Sequence, residues 1–285
     1  MILVTGATGK LGRLVIEQLL EKVPARQVIA AVRTPQKAAG LAARGVQVRE
    51  ADYSRPETLG PAFAGVEKVL LISSNEVGQR AAQHQAVVEA ARKAGVRLLA
   101  YTSILHADRS RLALAAEHKA TEEMIRASGV PYVFLRNGWY TENYTENLGP
   151  ALAHGALVGS AGEGRIAAAT RADYAAAAVA VLTGAGHENK VYELAGDTAF
   201  TMAELAAEVS RKAGKTIAYT DLPPEQYQGV LVGAGGLPGP YAGVLADSDV
   251  GASRGELNDT SGDLRRLIGR PTTPLADAVA VALKR

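Results

Sequence analysis

Short apolar runs alternate with longer amphipathic stretches over the first half of the chain. The runs that predict β-strands cover residues 2–5, 27–32, 47–50, 68–73, 98–102 and 132–136. Between them, apolar residues at helical spacing predict helices over residues 11–22, 79–94 and 113–128. Continuously apolar strands separated by helices are typical of a parallel sheet that is covered on both faces. The pattern therefore predicts an α/β fold with a doubly wound parallel sheet.

The most informative segment follows the first predicted strand and reads TGATGKLG over residues 5–12. In a dinucleotide-binding loop of this kind, Gly6 permits the tight turn, Gly9 lets the backbone approach a pyrophosphate, and Gly12 lets the helix pack closely on the strand. The helix N-terminus then offers free N–H groups and a partial positive charge to phosphate. We therefore predict a Rossmann-type dinucleotide site. A glycine turn without a ligand is the alternative.

The end of the second predicted strand bears on the choice of cofactor. Sites for NAD place an acidic residue about 20 residues past the glycine loop, where it holds the ribose 2′-hydroxyl. This chain has Arg33 at that point, and the next carboxylate along the sequence is Glu50. A guanidinium suits a 2′-phosphate, so the sequence predicts NADPH, with Lys10 and Lys37 as further candidate contacts. A solvated surface arginine is the alternative.

Small polar residues end the fourth predicted strand. Ser73, Ser74 and Asn75 follow its apolar run directly. Hydroxyls at the carboxyl end of a strand near the switch point of a doubly wound sheet commonly line the crevice for the cofactor's ribose and pyrophosphate. We expect these three residues in that crevice, with an ordinary polar turn as the alternative.

After about residue 137 the alternation weakens, and glycine and alanine become more frequent. We assign residues 1–137 to a dinucleotide-binding Rossmann domain. Residues 138–285 form mostly a smaller α/β lobe for the substrate, with segments such as the strand-like 190–194 returning to the Rossmann sheet. Thr201 followed by Glu204 predicts a helix start with a capping box. The stretch from Gly233 to Tyr241 reads as a loop and is a candidate mobile cover for the pocket.

Composition narrows the partners and the compartment. The 285 residues are 47% hydrophobic and 21% charged, which is ordinary for a globular protein. The formal net charge of +2 gives no electrostatic reason to expect a nucleic acid or an anionic membrane as partner. The lack of cysteine excludes disulfides and thiolate chemistry. A strand-like start and the lack of a run of 18 apolar residues predict a cytoplasmic protein without signal peptide or membrane span.

Three familiar catalytic arrangements are missing. None of the ten tyrosines is followed by lysine four residues later, so the Tyr-x-x-x-Lys proton donor of alcohol dehydrogenases and sugar-nucleotide epimerases is not present. No two of the five histidines stand four residues apart, and we predict no metal site. Ser253 lies in a GASRG stretch that matches a nucleophile elbow, but no histidine follows it, which excludes the α/β-hydrolase order.

Several stretches that span nearly the whole chain carry a family resemblance. They are residues 3–9, 71–84 (LISSNEVGQRAAQH), 101–108 (YTSILHAD), 135–143 (LRNGWYTEN), 170–178 (TRADYAAAA) and 245–253 (LADSDVGAS). In them the sequence resembles the atypical short-chain dehydrogenase group of NmrA-like regulators, isoflavone reductases and triphenylmethane dye reductases. Within that group it is most similar to the bacterial type 2 NAD(P)H:quinone oxidoreductases. The resemblance implies NADPH-dependent, two-electron reduction of quinones without a bound flavin.

The resemblance also implies a set of site residues. Carried over position by position, the cofactor contacts fall on Gly6, Thr8, Gly9, Lys10, Leu11, Arg33, Ser73, Ser74, Asn75, Gly138, Trp139, Tyr140, Thr141, Glu142 and Asn143. Lys10 stands where the family has glutamine. The catalytic lysine of the isoflavone reductases corresponds to His118 here. That replacement puts a lysine-dependent mechanism in doubt but leaves a titratable group at the position.

Quinone reduction requires little proton transfer from the protein itself. The first product is a hydroquinone anion, whose acidity is that of a phenol with a pKa of about 10, so water can complete its protonation. A hydrogen-bond donor still helps the developing oxyanion. We hypothesise that His118 or Tyr101 is this donor. A purely structural hydrogen bond for His118 and a core position for Tyr101 are the alternatives.

An aromatic cluster is the candidate binding surface for the acceptor. Trp139, Tyr140 and Tyr144 lie close together in a chain with only 5% aromatic residues, and a flat quinone ring stacks well on such side chains. Asn137, at the end of the sixth predicted strand, is a candidate partner for the nicotinamide or for the substrate carbonyl. The alternative for the aromatic residues is a hydrophobic lid on a helix start.

Two other functions stay open at this level. One is an NmrA-like redox sensor that binds NADP and a protein partner without catalysis. The other is a reductase of different flat acceptors, such as triphenylmethane dyes or azo compounds. The sequence also leaves open whether the protein is a monomer or a homodimer.

Overall fold

The computed structural model describes residues 1–284. In this part of the chain the strands are β1 Ile2–Val4, β2 Val28–Val32, β3 Gln47–Glu50, β4 Lys68–Leu71, β5 Leu98–Ile104, β6 Tyr132–Asn137, β7 Ala156–Gly159, β8 Lys190–Leu194 and β9 Ala218–Asp221. The helices are α1 Lys10–Leu20, α2 Ala39–Ala42, α3 Leu59–Phe63, α4 Arg80–Lys93, α5 Ala115–Ala127, α6 Glu142–Thr145, α7 Gly149–His154, α8 Arg171–Thr183, α9 Met202–Ala213, α10 Pro224–Gly233, α11 Gly239–Ser253, α12 Asp263–Ile268 and α13 Leu275–Ala282.

Seven strands form one parallel sheet in the order β3-β2-β1-β4-β5-β6-β8. Leu3 of β1 is in register with Ile29 of β2 on one side and with Val69 of β4 on the other. The strand order reverses direction between β1 and β4, which makes this the switch point of the sheet. The predicted Rossmann-type doubly wound sheet is therefore confirmed.

The strands lie where the apolar runs predicted them, because both faces of the sheet are covered. Every residue of β2 and β5 is buried. On one face, α1 packs against α8 through an apolar stripe that includes Val15, Ile16 and Leu19. On the other face, Val87 of α4 and Ile125 of α5 join a second core with β4 and β5. The carboxyl edge of the sheet is left for ligands.

The second half of the chain divides its elements between the sheet and a separate lobe. Strand β8 returns to the main sheet beside β6, and α12 packs against α8 and β8. Strands β7 and β9 form a separate parallel pair. Around that pair a third core includes Leu205 of α9 and Val279 of α13. The capping box predicted at the start of α9 is present, since Thr201 and Glu204 bond each other's backbone N–H groups.

The prediction of a loop from Gly233 to Tyr241 is wrong at both ends. Helix α10 ends at Gly233, and α11 begins at Gly239. Proline is tolerated in the first turn of a helix because its missing N–H needs no partner there, and Pro240 occupies that turn of α11. The connection is thus residues 234–238, and the two helices form a hairpin.

Candidate functional site

The glycine loop closes tightly at the end of β1. Gly6 has a φ of +57°, which favours glycine, and its carbonyl accepts the N–H of Gly9 at 2.9 Å. A Cβ on Gly12 would lie 2.3 Å from the Gly6 oxygen. The loop therefore holds its backbone against the first turn of α1, in the arrangement that cradles a pyrophosphate at a helix N-terminus.

A cavity of about 940 Å³ opens from this loop over the carboxyl ends of β1, β2 and β4. We call it the nucleotide cavity. Among the predicted cofactor residues, those that line it are Gly6, Thr8, Gly9, Arg33, Lys37, Ser73, Ser74 and Asn75. The cavity also has lining residues that sequence reasoning missed, namely Arg13, Asp52, Tyr53, Glu76 and Gln83. A glycine cradle with a guanidinium at its far side fits a dinucleotide that carries a 2′-phosphate.

Tyr53 forms part of the floor of the nucleotide cavity. Its hydroxyl lies 2.9 Å from the Ile72 carbonyl oxygen and also contacts Thr5 Oγ1. Thr5 in turn donates to the Leu70 carbonyl and accepts the N–H of Ile72. Burial raises the pKa of Tyr53 above its usual value. The network joins the ends of β1 and β4 to the loop after β3.

The predicted 2′-phosphate residue has a protein partner. Arg33 Nη1 donates to Glu76 Oε1 at 3.0 Å, and the other Glu76 oxygen accepts from Gln83 Nε2 at 2.7 Å. Arg33 follows β2, and Glu76 stands in the loop after β4. The strand between them, β1, carries the glycine loop, so the pair spans the adenosine end of the crevice.

A smaller cavity of about 280 Å³ adjoins the first and shares Ser73 with it. We call it the acceptor cavity. The predicted residues that line it are His118, Asn137, Gly138, Trp139, Tyr140 and Asn143. Residues that sequence reasoning missed also line it, among them Arg80, Ser103, Arg171 and, from α11, Tyr241, Val244 and Leu245. The two cavities form a continuous path along the carboxyl edge of the sheet.

His118 and Tyr101 form a buried pair beside the acceptor cavity. The Tyr101 hydroxyl lies 2.7 Å from His118 Nδ1, and Tyr101 is fully buried. Burial, reinforced by the positive charge of Arg80, holds the pKa of His118 well below its usual value. Burial raises the pKa of Tyr101. Both groups are therefore neutral at physiological pH, so His118 presents a neutral imidazole to the cavity.

An ion pair lies directly behind this wall of the acceptor cavity. Arg136 of β6 binds Glu122 of α5 with two hydrogen bonds, at 2.9 and 2.8 Å, and both residues are buried. Ser103 donates to the same carboxylate at 2.7 Å. Glu122 lies one helical turn after His118, so the pair fixes the face of α5 that carries the imidazole.

Asn137 contributes an unpaired polar atom to the acceptor cavity. Its side chain is buried, and its Oδ1 has no hydrogen-bond partner among the residues that the structure describes. A buried amide oxygen without a partner is costly. Beside it, the Tyr140 ring packs under the guanidinium of Arg171 at 5.0 Å. These groups give the cavity both a polar contact and a flat surface for a ligand.

Apart from Tyr101, which contacts the cavity-lining His118, five predicted residues do not line either cavity: Lys10, Leu11, Thr141, Glu142 and Tyr144. Lys10 pairs with Glu146 at 2.5 Å, and Leu11 is buried in the core. The Glu142 carboxylate accepts the N–H at the start of α8. The ring of Tyr144 packs edge-on to Phe200, 6.0 Å away, within the third core. The geometry of the two cavities does not support a direct ligand contact for these five residues, and their site roles stay predictions.

The structure of residues 1–284 also bears on metal binding and on membrane insertion. No group of three or more acidic or histidine side chains in this range is arranged to hold a metal ion. No helix in this range is long and apolar enough to cross a membrane.

A doubly wound sheet with a glycine loop at its switch point and a deep crevice along its carboxyl edge defines a dinucleotide-binding protein. Comparison with known proteins gives the family. The NAD(P)H-binding family matches residues 6–185, and the chain belongs to that family.

Individual relatives match almost the whole chain. Quinone oxidoreductase 2 of Escherichia coli (strain K12) is 56% identical over 280 residues, which cover 98% of each protein. The crystal structure of an NADPH-dependent quinone oxidoreductase from Escherichia coli, complexed with NADPH, superposes with a TM-score of 0.96 at 55% identity. The match covers 99% of this chain and 100% of that one. Citrobacter sp. triphenylmethane reductase complexed with NADP(H) gives a TM-score of 0.95 at 46% identity, with 99% and 100% covered.

Proposed function

We propose that this protein catalyses the NADPH-dependent reduction of quinones to hydroquinones by two electrons, without a bound flavin. The observation that carries the proposal is the pair of adjoining cavities, one built for a dinucleotide and one small and partly aromatic, which meet at Ser73. Full-length similarity to a quinone oxidoreductase supports the same conclusion. Bound NADPH supplies the hydride, and the protein supplies position and protection from water.

Different residues of the chain bind the cofactor and the acceptor. The backbone of the glycine loop and the start of α1 bind the pyrophosphate, and Arg33 binds the 2′-phosphate. In the acceptor cavity, Trp139 and Tyr140 stack on a flat ring, and Asn137 bonds a carbonyl or amide of a ligand. Helix α11 covers this cavity through Val244 and Leu245, which excludes water.

We propose His118 as the hydrogen-bond donor to the reacting quinone. In our proposal the Tyr101 hydroxyl donates to Nδ1, which fixes the tautomer with its proton on Nε2. That N–H then donates to the quinone oxygen as negative charge develops on it. Because the imidazole is neutral and buried, it serves as a hydrogen-bond donor and not as a cation. Water completes the protonation of the released hydroquinone anion.

The first experiment follows NADPH oxidation at 340 nm with 1,4-benzoquinone and a small naphthoquinone, beside NADH. We expect turnover with NADPH. An Arg33→Ala variant should raise the KM for NADPH by about 10- to 100-fold, because a charge-assisted bond is worth about 1.5–3 kcal/mol. Arg97→Ala is the matched control, since Arg97 is exposed and pairs with Glu67 away from both cavities. Tight NADPH binding without turnover would instead favour the redox-sensor function.

A second experiment tests the proton chemistry. His118→Ala should lower kcat/KM for the quinone by about 10- to 100-fold, the cost of losing one donor to an oxyanion. Tyr101→Phe should lower kcat less and leave the KM for NADPH unchanged, because Tyr101 acts through His118. His154→Ala, at an exposed histidine on α7, is the control. An unchanged kcat/KM for His118→Ala would remove this residue from the mechanism.

A second candidate activity is the reduction of other flat acceptors. It rests on the 46% identity to triphenylmethane reductase. A triphenylmethane dye assayed under the same conditions separates the two activities by their kcat/KM values. We further propose that the protein acts in the cytoplasm on a small-molecule quinone, as a monomer or a homodimer, which cell fractionation and gel filtration test.

A further inference from the structure

We propose that Glu76 is a specificity-determining residue for the coenzyme, because it competes with the cofactor's 2′-phosphate for Arg33. The proposal rests on the assignment of the nucleotide cavity to NADPH, but it does not depend on quinone turnover. A residue in this role weakens the preference for NADPH over NADH. No carboxylate follows Arg33 in the sequence before Glu50, yet folding brings one to it from the loop after β4.

The Glu76 carboxylate contacts the guanidinium that a 2′-phosphate would use. Glu76 Oε1 accepts from Arg33 Nη1 at 3.0 Å, and both residues line the nucleotide cavity. The guanidinium side chain is 64% exposed and the carboxylate 42%. The groups are therefore open to a ligand, and a phosphate that binds this guanidinium arrives next to a negative charge.

Hydrogen bonds hold the Glu76 carboxylate in place. Its Oε2 accepts from Gln83 Nε2 at 2.7 Å, and the Glu76 N–H donates to Ser74 Oγ at 3.1 Å. Gln83 is itself buried and also donates to Ser54 Oγ. An unrestrained surface carboxylate would swing away from an incoming anion at little cost. This one loses a hydrogen bond to a buried amide when it moves.

Three other charged side chains also line the nucleotide cavity: Arg13, Lys37 and Asp52. Arg13 donates to the Thr8 carbonyl, and Asp52 accepts from the Ser54 N–H and from Arg55. Glu76 is thus the carboxylate in contact with Arg33. Towards a ribose 2′-hydroxyl, a fixed carboxylate is an acceptor, as in sites for NAD. Towards a 2′-phosphate it is a competitor for the guanidinium and a like charge.

The test uses two ligands that differ only in the 2′-phosphate: adenosine 2′,5′-bisphosphate and 5′-AMP. Their Kd values are measured by isothermal titration calorimetry on the wild type and on Glu76→Gln. We expect the bisphosphate to bind about two- to fivefold more tightly to the variant, the range that an exposed competing ion pair permits. The affinity for 5′-AMP should stay level or fall. The gain for the bisphosphate should shrink as salt screens the charges.

Two comparisons separate this role from a general charge effect. Glu89→Gln removes one exposed negative charge from α4 that pairs with Arg92 outside the nucleotide cavity, and it should leave both Kd values unchanged. In an Arg33→Ala background, Glu76→Gln should lose most of its effect, since the competition is for Arg33. Glu76→Ala, which also removes the contact to Gln83, provides a second variant with the same expected direction.

The outcomes are distinct. The proposal is overturned if Glu76→Gln and Glu76→Ala bind the bisphosphate no more tightly than the wild type does, once the change in affinity for 5′-AMP is taken into account. An effect of the same size in the Arg33→Ala background also overturns it. If the binding shift appears but no quinone is reduced, the proposed function fails while the role of Glu76 stands.

Discussion

Asp249 on α11 gives a prediction with a defined pH dependence. The side chain is 4% exposed, and its Oδ2 accepts the Ser160 N–H at 2.8 Å. Burial, together with the nearby Asp221 carboxylate and against the opposing Ser160 N–H, raises the pKa of Asp249 from 3.8 to about 6. The Asp249 charge in turn helps to raise the pKa values of Tyr144, Tyr219 and Tyr227. We predict that Asp249→Asn stabilises the protein at neutral pH.

The magnitude follows from linkage. The folded-state pKa exceeds the unfolded value by about two units, and each unit corresponds to about 1.36 kcal/mol. A raised folded pKa contributes stability that is fully present below pH 4 and is lost as the pH rises through 6. The asparagine variant has no such loss. Relative to the wild type it should therefore gain up to about 3 kcal/mol between pH 4 and pH 8, or roughly 5–10 °C in Tm.

The assay is thermal unfolding of the wild type and of Asp249→Asn from pH 4 to pH 8. The difference in Tm should widen through pH 5–6.5 and then level off. Asp249→Ala is the control, because it also abolishes the titration but leaves the Ser160 N–H without its acceptor. It should show the same pH dependence from a lower starting stability. A Tm difference that does not vary with pH would refute the reasoning.

Three further predictions test the loop, the buried ion pair and the third core. Gly12→Ala should weaken NADPH binding at least about tenfold, because its Cβ would lie 2.3 Å from the Gly6 carbonyl oxygen. The fluorescence of the single tryptophan measures the binding. Gly60→Ala is the control and should bind NADPH normally, because the space around Gly60 is open. Glu122→Ala removes two hydrogen bonds from the buried Arg136, which keeps its ion pairs with Asp108 and Glu193, and urea unfolding should show a loss of about 1.5–3 kcal/mol. Tyr144→Phe removes a buried hydroxyl without a partner in the described chain and should add about 1 kcal/mol at unchanged kcat/KM. A fall in kcat/KM would return Tyr144 to the acceptor site.

The dinucleotide-binding half could be predicted from the sequence because its signals are local. Strands buried on both faces are apolar at every position, as in β2 and β5, so their runs stand out. The predicted bounds of the first six strands lie within two residues of the observed ones. The short strands β7 and β9 were not predicted. They are four residues each and are half-buried or exposed at most positions, so they carry no apolar run.

The sequence could predict residues that line the cavities where they lie at the carboxyl ends of strands of the main sheet, as with Ser73 and Asn137. The residues that were missed approach from other elements, as Glu76 does from a loop and Tyr241 from α11. Proximity in sequence was misleading for Tyr144, which follows Trp139 and Tyr140 closely. A short helix fixes which way each side chain points, and α6 directs this ring towards Phe200 and away from the acceptor cavity.

The return of the chain to the main sheet has a consequence for how this architecture can diversify. Helix α8 covers α1, the helix that begins at the glycine loop, and β8 extends the sheet that carries the cofactor. The acceptor-side segments are therefore insertions, mainly residues 138–170 and 195–262, between parts of one scaffold. A new acceptor specificity cannot be gained by exchanging a C-terminal tail. It has to arise by substitution within these insertions, while the scaffold segments on either side keep their fit to α1 and β6.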